Sequence, residues 1–108
     1  MSPMERSLKL LRDGGWELVR KVEVWQHFAH KRLDLWGFDI LCAGDGAILF
    51  VQVTDDDHLA AHRTALKANP AVAILATAGA RMALHSWGVH GARGKRKLWE
   101  CKVEEVVP

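Results

Sequence analysis

The sequence has few cysteines and no long apolar run. The first feature argues against a protein held together by disulfides, and the second against one that spans a membrane. Its 2 cysteines, Cys42 and Cys101, are isolated and lack Cys-x-x-Cys spacing, so we expect buried, reduced thiols. No apolar run approaches the roughly 20 residues that are needed to cross a bilayer. The first residues include a Glu and an Arg, and they contain no apolar stretch of signal length. The sequence therefore predicts a soluble, intracellular (cytoplasmic) protein with no membrane partner.

Net charge is also low, but its distribution is uneven. The chain carries a net charge of +2, which is weak evidence for a nucleic-acid partner. Asp55–Asp57 is a block of negative charge, whereas Gly91–Lys97 has four positive charges and no negative one. The 108 residues fit a single domain, residues 1–108, which can bury one core without cross-links or metal. No internal repeat or low-complexity linker divides the chain.

The central feature of the sequence is a predicted β-hairpin from Gly37 to Thr54. Two apolar, largely β-favouring runs flank Gly44-Asp45-Gly46, and these glycines supply the flexible residues that a tight turn needs. Polar side chains interrupt the hairpin chiefly at Asp39, where the first strand starts, and at Gln52 and Thr54, where the second ends. In an antiparallel pair these ends are adjacent, so the three side chains should cluster, with Gln52 and Thr54 on one face.

The remaining pattern predicts a mixed α/β (α+β) fold. A capped helix is expected over about residues 3–13, a half-exposed strand over 16–25 and a loop over 26–33. After the hairpin, a helix capped by Asp55 or Asp56 should run to about residue 68. Residues 71–78 fit a short buried helix or a central strand, and we favour the helix. Strands follow at 81–89 and 98–107. The expected order is a helix, a three-stranded antiparallel meander, one or two helices and two further strands.

Residues 4–67 resemble the PD-(D/E)XK nuclease superfamily. Phe38-Asp39-Ile40 stands where that superfamily has Pro-Asp-hydrophobic, and Gln52-Val53-Thr54 stands where it has Glu-x-Lys. The resemblance is strongest to small Holliday-junction-resolvase-like and phage-type members with a Gly-x-x-Asp strand followed by Val-Gln-Val-Thr. It implies a restriction-endonuclease-like core, a Mg²⁺ or Mn²⁺ cofactor, DNA as substrate, including branched DNA, and a homodimer.

The resemblance also implies a set of catalytic and metal-binding residues. Asp39 and Gln52 would be metal ligands, and Gln52 offers a neutral carbonyl oxygen that does not offset the charge of the ion. An additional acid would therefore come from Glu5 or Asp34. For Glu5 we favour a solvated or helix-dipole residue over a metal-site acid, whereas Asp34 fits a cap or turn residue equally well.

The superfamily lysine is the main departure, because Thr54 occupies its position. A hydroxyl cannot supply the cation that faces the water and phosphate. We expect a cation from elsewhere in the chain to replace it. The candidates are Arg63 or Lys67 from the following helix and Lys31 from the preceding loop.

Basic residues provide a separate indication of nucleic acid. The loop that contains Arg93, Lys95, Arg96 and Lys97 can follow a phosphate backbone, and Lys31 and Arg32 can also contact phosphates. The flanking Trp87 and Trp99 either stack on bases or pack in the core. His58 and His62 are four residues apart on a predicted helix, which is the spacing that a helical pair of metal ligands would use. No further Cys or His is placed to complete a zinc site with them.

The residue pattern is compatible with two functions. The first is a metal-dependent DNA endonuclease, structure-specific in the manner of a junction resolvase. The second is a catalytically inactive DNA-binding or protein-interaction module on the same scaffold.

Overall fold

A computed structural model describes residues 1–91 and 93–108, and within them three helices pack against a five-stranded mixed sheet. Ala92, in the predicted basic loop, lies outside the described residues. The helices are α1 (Pro3–Asp13), α2 (Leu59–Lys67) and α3 (Pro70–Thr77). The strands are β1 (Leu18–Lys21), β2 (Val24–Gln26), β3 (Lys31–Leu33), β4 (Ile40–Gly44), β5 (Ala47–Asp55), β6 (Arg81–His90) and β7 (Leu98–Glu105). The α/β fold class predicted from the sequence is confirmed.

The main sheet has the strand order β1-β4-β5-β6-β7. The first three of these strands are antiparallel to one another, and they form the predicted meander. β6 runs parallel to β5, because α2 and α3 carry the chain back across the sheet before β6 begins. β7 then returns antiparallel to β6 along the edge. The carboxyl ends of β5 and β6 therefore lie at the same end of the sheet.

The prediction of one strand over residues 16–25 followed by a loop is wrong. β1 ends at Lys21, because the amides of Val22 and Glu23 both donate to the carbonyl of Asp39, at 2.8 and 3.2 Å, and this turns the chain away from the main sheet. The next residues form an antiparallel hairpin of β2 and β3 instead of a loop, with Trp25 opposite Arg32. We call this element the β2–β3 hairpin.

The helix boundaries follow local capping signals. α1 begins with a capping box, in which the Ser2 side chain accepts from the amide of Glu5 and the Glu5 side chain accepts from the amide of Ser2. α3 begins at Pro70, where the Asn69 side chain accepts from the amide of Ala71. This settles the choice between a helix and a strand over residues 71–78. No helix in the described ranges is both long and apolar enough to cross a membrane.

Helices cover both faces of the sheet, so β5 is buried on both sides. Ile40, Cys42 and Val51 pack with Leu11 of α1 on one face. A second cluster on the opposite face joins the sheet to α2 and α3 through Phe38, Phe50, Leu66, Val72, Met82 and Leu84. Cys42 is buried and Cys101 only half-buried, and both are free thiols. The expectation of two buried thiols therefore holds for Cys42 alone.

A buried polar network fixes α1 to β6. The Ser7 hydroxyl accepts from the indole N–H of Trp87 at 2.7 Å and lies 2.9 Å from Nδ1 of His85. Burial lowers the pKa of His85 to about 4, so the ring is neutral near pH 7, and its Nδ1 shares a hydrogen bond with the Ser7 hydroxyl. One hydroxyl thus satisfies two buried ring nitrogens that would otherwise be costly to desolvate.

We expect Ser7→Ala to lower the free energy of unfolding by about 1–3 kcal/mol, because it leaves the ring nitrogens of His85 and Trp87 without their partner. Urea unfolding at neutral pH measures the effect. Thr64→Ala is the matched control, because it removes an exposed hydroxyl on α2 and should change stability by less than about 0.5 kcal/mol. Equal stability losses in the two variants would contradict a structural role for the network.

Candidate functional site

A cavity of about 700 Å³ opens at the end of the sheet where β5 finishes. It lies where the start of α1, the end of β1, the β2–β3 hairpin and the start of α2 meet around β4 and β5. The lining residues are Ser2, Pro3, Met4, Lys21, Glu23, Val24, Trp25, Arg32, Asp39, Gln52, Val53, Thr54, Asp55, His58 and His62. Asp39, Gln52 and Thr54 are thus brought together around one cavity.

The Asp39 carboxylate is held in a fixed position beside Gln52. Its backbone amide donates to the carbonyl of Val51 at 2.8 Å, and its Oδ2 accepts from the amide of Val53 at 2.9 Å. Because Ile40 pairs with Val51, the preceding residue Asp39 lies across from Gln52. Both side chains line the cavity, so a carboxylate oxygen and an amide group face the same space.

Asp39 carries an unfavourable buried charge. The residue is only 6% exposed, and burial raises the pKa of its carboxyl to about 6. The hydrogen bond from Val53 acts in the opposite direction, nearby Glu23 and Asp34 raise the pKa further, and Arg32 lowers it. Near neutral pH this carboxylate would therefore be stabilised by a cation placed beside it.

A histidine pair also lines the cavity. His58 and His62 lie four residues apart at the start of α2, and both contact the cavity. Nδ1 of His58 is 2.7 Å from Oδ1 of Asp55, which also accepts from the His58 amide at 3.0 Å. The side-chain bond to His58 is the main reason that the pKa of Asp55 is lowered. Asp55 thus fixes the orientation of the His58 ring.

The acidic run that follows β5 also connects the cavity wall to β6. Oδ1 of Asp56 accepts from the Ser86 hydroxyl and Oδ2 lies near Nε2 of His90, both at 2.6 Å. A Cβ atom at Gly88 would lie 2.0 Å from Asp56 Oδ2, so only glycine permits this approach. The pKa of Asp56 is lowered, mainly by the bond from Ser86 and then by His90. These contacts fix the end of β6, from which the basic loop leaves.

Two other predicted acids do not line this cavity. The Glu5 carboxylate accepts from the Ser2 amide in the helix cap, and Asp34 accepts from the amide of Gly37 at 3.1 Å in a turn. These contacts match the cap and turn alternatives. Asp34 still influences the site, because its charge contributes to the raised pKa of Asp39.

The three cations that were predicted to compensate for Thr54 do not line the cavity. Arg63 donates through Nε and Nη2 to both carboxylate oxygens of Glu104 on β7, and neither Lys67 nor Lys31 lines the cavity. The cations that do line it are Lys21 and Arg32. Arg32 also bonds to Glu23 at 3.4 Å. A phosphate contact of Arg63 at this cavity is disfavoured, because Arg63 does not line the cavity and both of its donating nitrogens face Glu104.

The basic loop lies outside the cavity but at the same end of the sheet. Arg93, Lys95, Arg96 and Lys97 are exposed in the connection between the end of β6 and the start of β7. Because β6 is parallel to β5 and Trp87 is level with Asp55, this connection leaves the sheet beside the cavity.

Of the two alternatives for Trp87, packing in the core is the one that the structure shows, because Trp87 is buried against Ser7. Trp99 is half-exposed, and the guanidinium of Arg6 lies over its ring.

Sequence reasoning missed Lys21, Glu23 and Trp25 as lining residues. Their positions depend on the bend after β1 and on the pairing of Lys21 with Ile40, which puts Lys21 next to Asp39 in the sheet. The signal was present in the alternation of residues 16–24, which puts Lys21 and Glu23 on one polar face. The sequence does not show that β1 pairs with β4, so it could not indicate that this polar face lies beside Asp39.

Asp39 and Gln52 are the residues of the cavity whose oxygens could bind a magnesium ion that keeps much of its hydration. Asp39 supplies one carboxylate, and Gln52 supplies a neutral amide oxygen. Within residues 1–91 and 93–108, no three His, Cys, Asp or Glu side chains converge as a metal-binding group. Mg²⁺ is often held by one or two carboxylates together with waters and substrate phosphates. Asp39 and Gln52 therefore suit an ion that is shared with a substrate, and they do not form a closed protein cage.

Comparisons of the chain with protein-family models, with curated proteins and with solved structures find no match. A function for this chain is therefore inferred from the geometry of the cavity.

We expect Asp39→Asn to stabilise the metal-free protein at pH 7.5 by about 1–3 kcal/mol. The pKa of Asp39 is raised to about 6 in the folded state, against about 4 in the unfolded chain. The wild-type contribution is therefore fully present below about pH 4 and is lost as the pH rises through 6. Asn keeps the acceptor for Val53 without the charge.

Urea unfolding in EDTA at pH 7.5, 6 and 4 measures this difference, which should shrink toward zero at pH 4. Asp45→Asn in the exposed β4–β5 turn is the control and should show little change at any of these pH values. A constant difference between Asp39→Asn and wild type across the pH range would rule out relief of a buried charge.

Proposed function

We propose that this chain is a metal-dependent nuclease that hydrolyses phosphodiester bonds in DNA. The observation that carries the proposal is the Asp39–Gln52 pair, which lies across two adjacent strands and faces one cavity with Lys21 and Arg32. Phosphodiester hydrolysis needs hard oxygen ligands, a positioned water and positive charge near the phosphate. The cavity offers residues for each requirement.

Asp39 and Gln52 would hold the Mg²⁺ or Mn²⁺ ion through one carboxylate and one amide oxygen. When bound, the ion would supply Lewis-acid stabilisation of the phosphate charge. It would also offset the buried charge of Asp39, whose pKa is raised to about 6 by burial. The fixed bond from Val53 to Oδ2 orients the carboxylate before any ligand arrives.

Other side chains of the cavity would supply the positive charge, a hydrogen bond to the water or phosphate, and a proton acceptor. Lys21 and Arg32 supply the positive charge that Thr54 cannot provide, and the Thr54 hydroxyl can donate one hydrogen bond to a water or a phosphate oxygen. His58 has Nδ1 engaged by Asp55, which leaves Nε2 as the nitrogen that can exchange a proton with a water in the cavity. A histidine oriented by a carboxylate in this way is a common general base.

The second candidate is a DNA-binding module without catalysis on the same scaffold. Thr54 in place of a lysine supports it, and so does the finding that no three His, Cys, Asp or Glu side chains of the described residues converge as a metal-binding group. Both candidates use the cations of the cavity and of the basic loop. They differ in whether Asp39 is needed for a chemical step.

We expect the wild-type protein to cleave DNA in the presence of Mg²⁺ or Mn²⁺ and Asp39→Asn to lose activity by about a hundredfold or more, because even outer-shell partners of a metal contribute about 10–100-fold. Fluorescent single-stranded, duplex and four-way-junction DNA incubated with each protein and metal gives the rates. A parallel set in EDTA establishes the metal requirement.

Asp45→Asn is the matched control, because Asp45 lies in the exposed β4–β5 turn outside the cavity lining, and this variant should retain most of the activity. Cleavage that survives Asp39→Asn would assign the activity to another site or to a contaminant. Binding of DNA without cleavage by any protein in the set would favour the non-catalytic module.

Replacing Lys95, Arg96 and Lys97 with Gln should weaken DNA binding for all sequences and reduce its salt dependence, with the slope falling by about 0.9 for each duplex phosphate that the variant no longer neutralises. Fluorescence anisotropy at several salt concentrations measures both quantities. The control replaces Arg12, Lys67 and Arg81, which have the same total charge and lie away from the cavity lining. Similar slopes in the two triple variants would show that the loop makes no particular phosphate contacts.

A further inference from the structure

The β2–β3 hairpin leaves the main sheet directly beside Asp39. Its first strand starts just after Val22 and Glu23, whose amides donate to the Asp39 carbonyl, and its second strand leads into the turn between Leu35 and Phe38. The two strands pair with each other and with no strand of the main sheet among the described residues. The hairpin therefore projects from the cavity as a separate element with a fixed base.

The hairpin combines exposed aromatic rings with cations. Phe28 at its turn is 85% exposed, and Trp25 is 49% exposed and lines the cavity. The ring of His27 contacts that of Trp25 edge-on, with 6.4 Å between centroids. Lys31 and Arg32 follow on the second strand, and residues 24–33 contain no Asp or Glu. The surface is thus aromatic and basic, with no acidic group of its own.

This composition favours nucleic acid with unpaired bases as the occupant. Any base offers a face for aromatic stacking, and neighbouring cations can contact the backbone that connects the bases. In an intact duplex both faces of a base are covered by its neighbours, so Phe28 could stack only at an end, a branch or a single strand. Continuity with the cavity adds a geometric reason, because Trp25 and Arg32 belong to both surfaces.

We propose that the β2–β3 hairpin stacks on unpaired bases and so directs the cavity toward single-stranded or branched nucleic acid. The inference depends on the proposed function for the nature of the ligand, but it does not require catalysis. Trp25 would hold a base at the mouth of the cavity, and Phe28 would hold another at the far end of the hairpin. Arg32 and Lys31 would contact the phosphates between them.

Binding measured in EDTA tests the proposal without cleavage. The probes are a fluorescein-labelled oligothymidylate, a long blunt duplex in which interior sites far outnumber the two ends, and a four-way DNA junction, titrated with wild-type protein and followed by anisotropy. We expect Phe28→Ala to weaken binding of the single strand by about five- to a hundredfold, the range for one stacked base. Binding of the blunt duplex should change by less than about twofold.

Two further substitutions at Phe28 distinguish aromatic stacking on a base from a nonspecific apolar contact. Phe28→Trp keeps an aromatic face and should retain wild-type affinity for the single strand, whereas Phe28→Leu keeps only apolar volume and should behave like Phe28→Ala. Ile74→Ala is the control, because Ile74 is 69% exposed on α3 and lies outside the cavity lining. Circular dichroism checks that all variants are folded, as expected for exposed positions.

Several results would overturn the inference. They are unchanged single-strand affinity in Phe28→Ala, equal losses on single strand and duplex, or wild-type affinity in Phe28→Leu. A dimer that dissociates in Phe28→Ala, detected by sedimentation velocity without a change in DNA affinity, would instead identify the tip as a contact between copies. A wild-type protein that binds the single strand but cleaves no DNA would contradict the nuclease and leave the hairpin proposal intact.

Discussion

The hydrogen bonds of Asp39 hold together the elements that surround the cavity. Its carbonyl accepts from Val22 and Glu23, its amide donates to Val51, and its carboxylate accepts from the amide of Val53. The first pair of bonds ends β1 and directs the β2–β3 hairpin outward. The second and third attach the start of β4 to the end of β5. The same residue therefore sets the strand break, the direction of the hairpin and the position of a carboxylate in the cavity.

This arrangement has an energetic cost that is concentrated at one group. A carboxyl with a pKa of about 6 is partly ionised near neutral pH in a place that disfavours the charge. Structural carboxylates usually gain stability from a partner, as Asp55 and Asp56 do from His58, Ser86 and His90. The contrast distinguishes Asp39 from Asp55 and Asp56, and titratable groups in clefts whose pKa is raised by burial are typical of functional sites.

Much of the fold could be predicted because its signals are local. The turn at Gly44-Asp45-Gly46, the capping box of α1 and the Asn69-Pro70 start of α3 each act within a few residues. The pairing of Arg63 with Glu104 spans 41 residues of sequence, and Trp87 reaches Ser7 across 80. Nothing near those residues indicates such partners. For that reason the sequence could not indicate that Arg63 pairs with Glu104, and it could not decide between stacking and core packing for Trp87.

The sequence by itself determined the α/β class, the β4–β5 hairpin and the adjacency of Asp39 to Gln52, because strand pairing across a short turn leaves little choice of register. Only the tertiary structure decided which other groups share the cavity. It brought in Lys21, Arg32 and His58, kept Glu5 and Asp34 out, and converted an expected loop into a projecting hairpin. The physical reason is that these positions depend on which strands become neighbours and on how the helices cover the sheet, and both are settled by burial of the whole core.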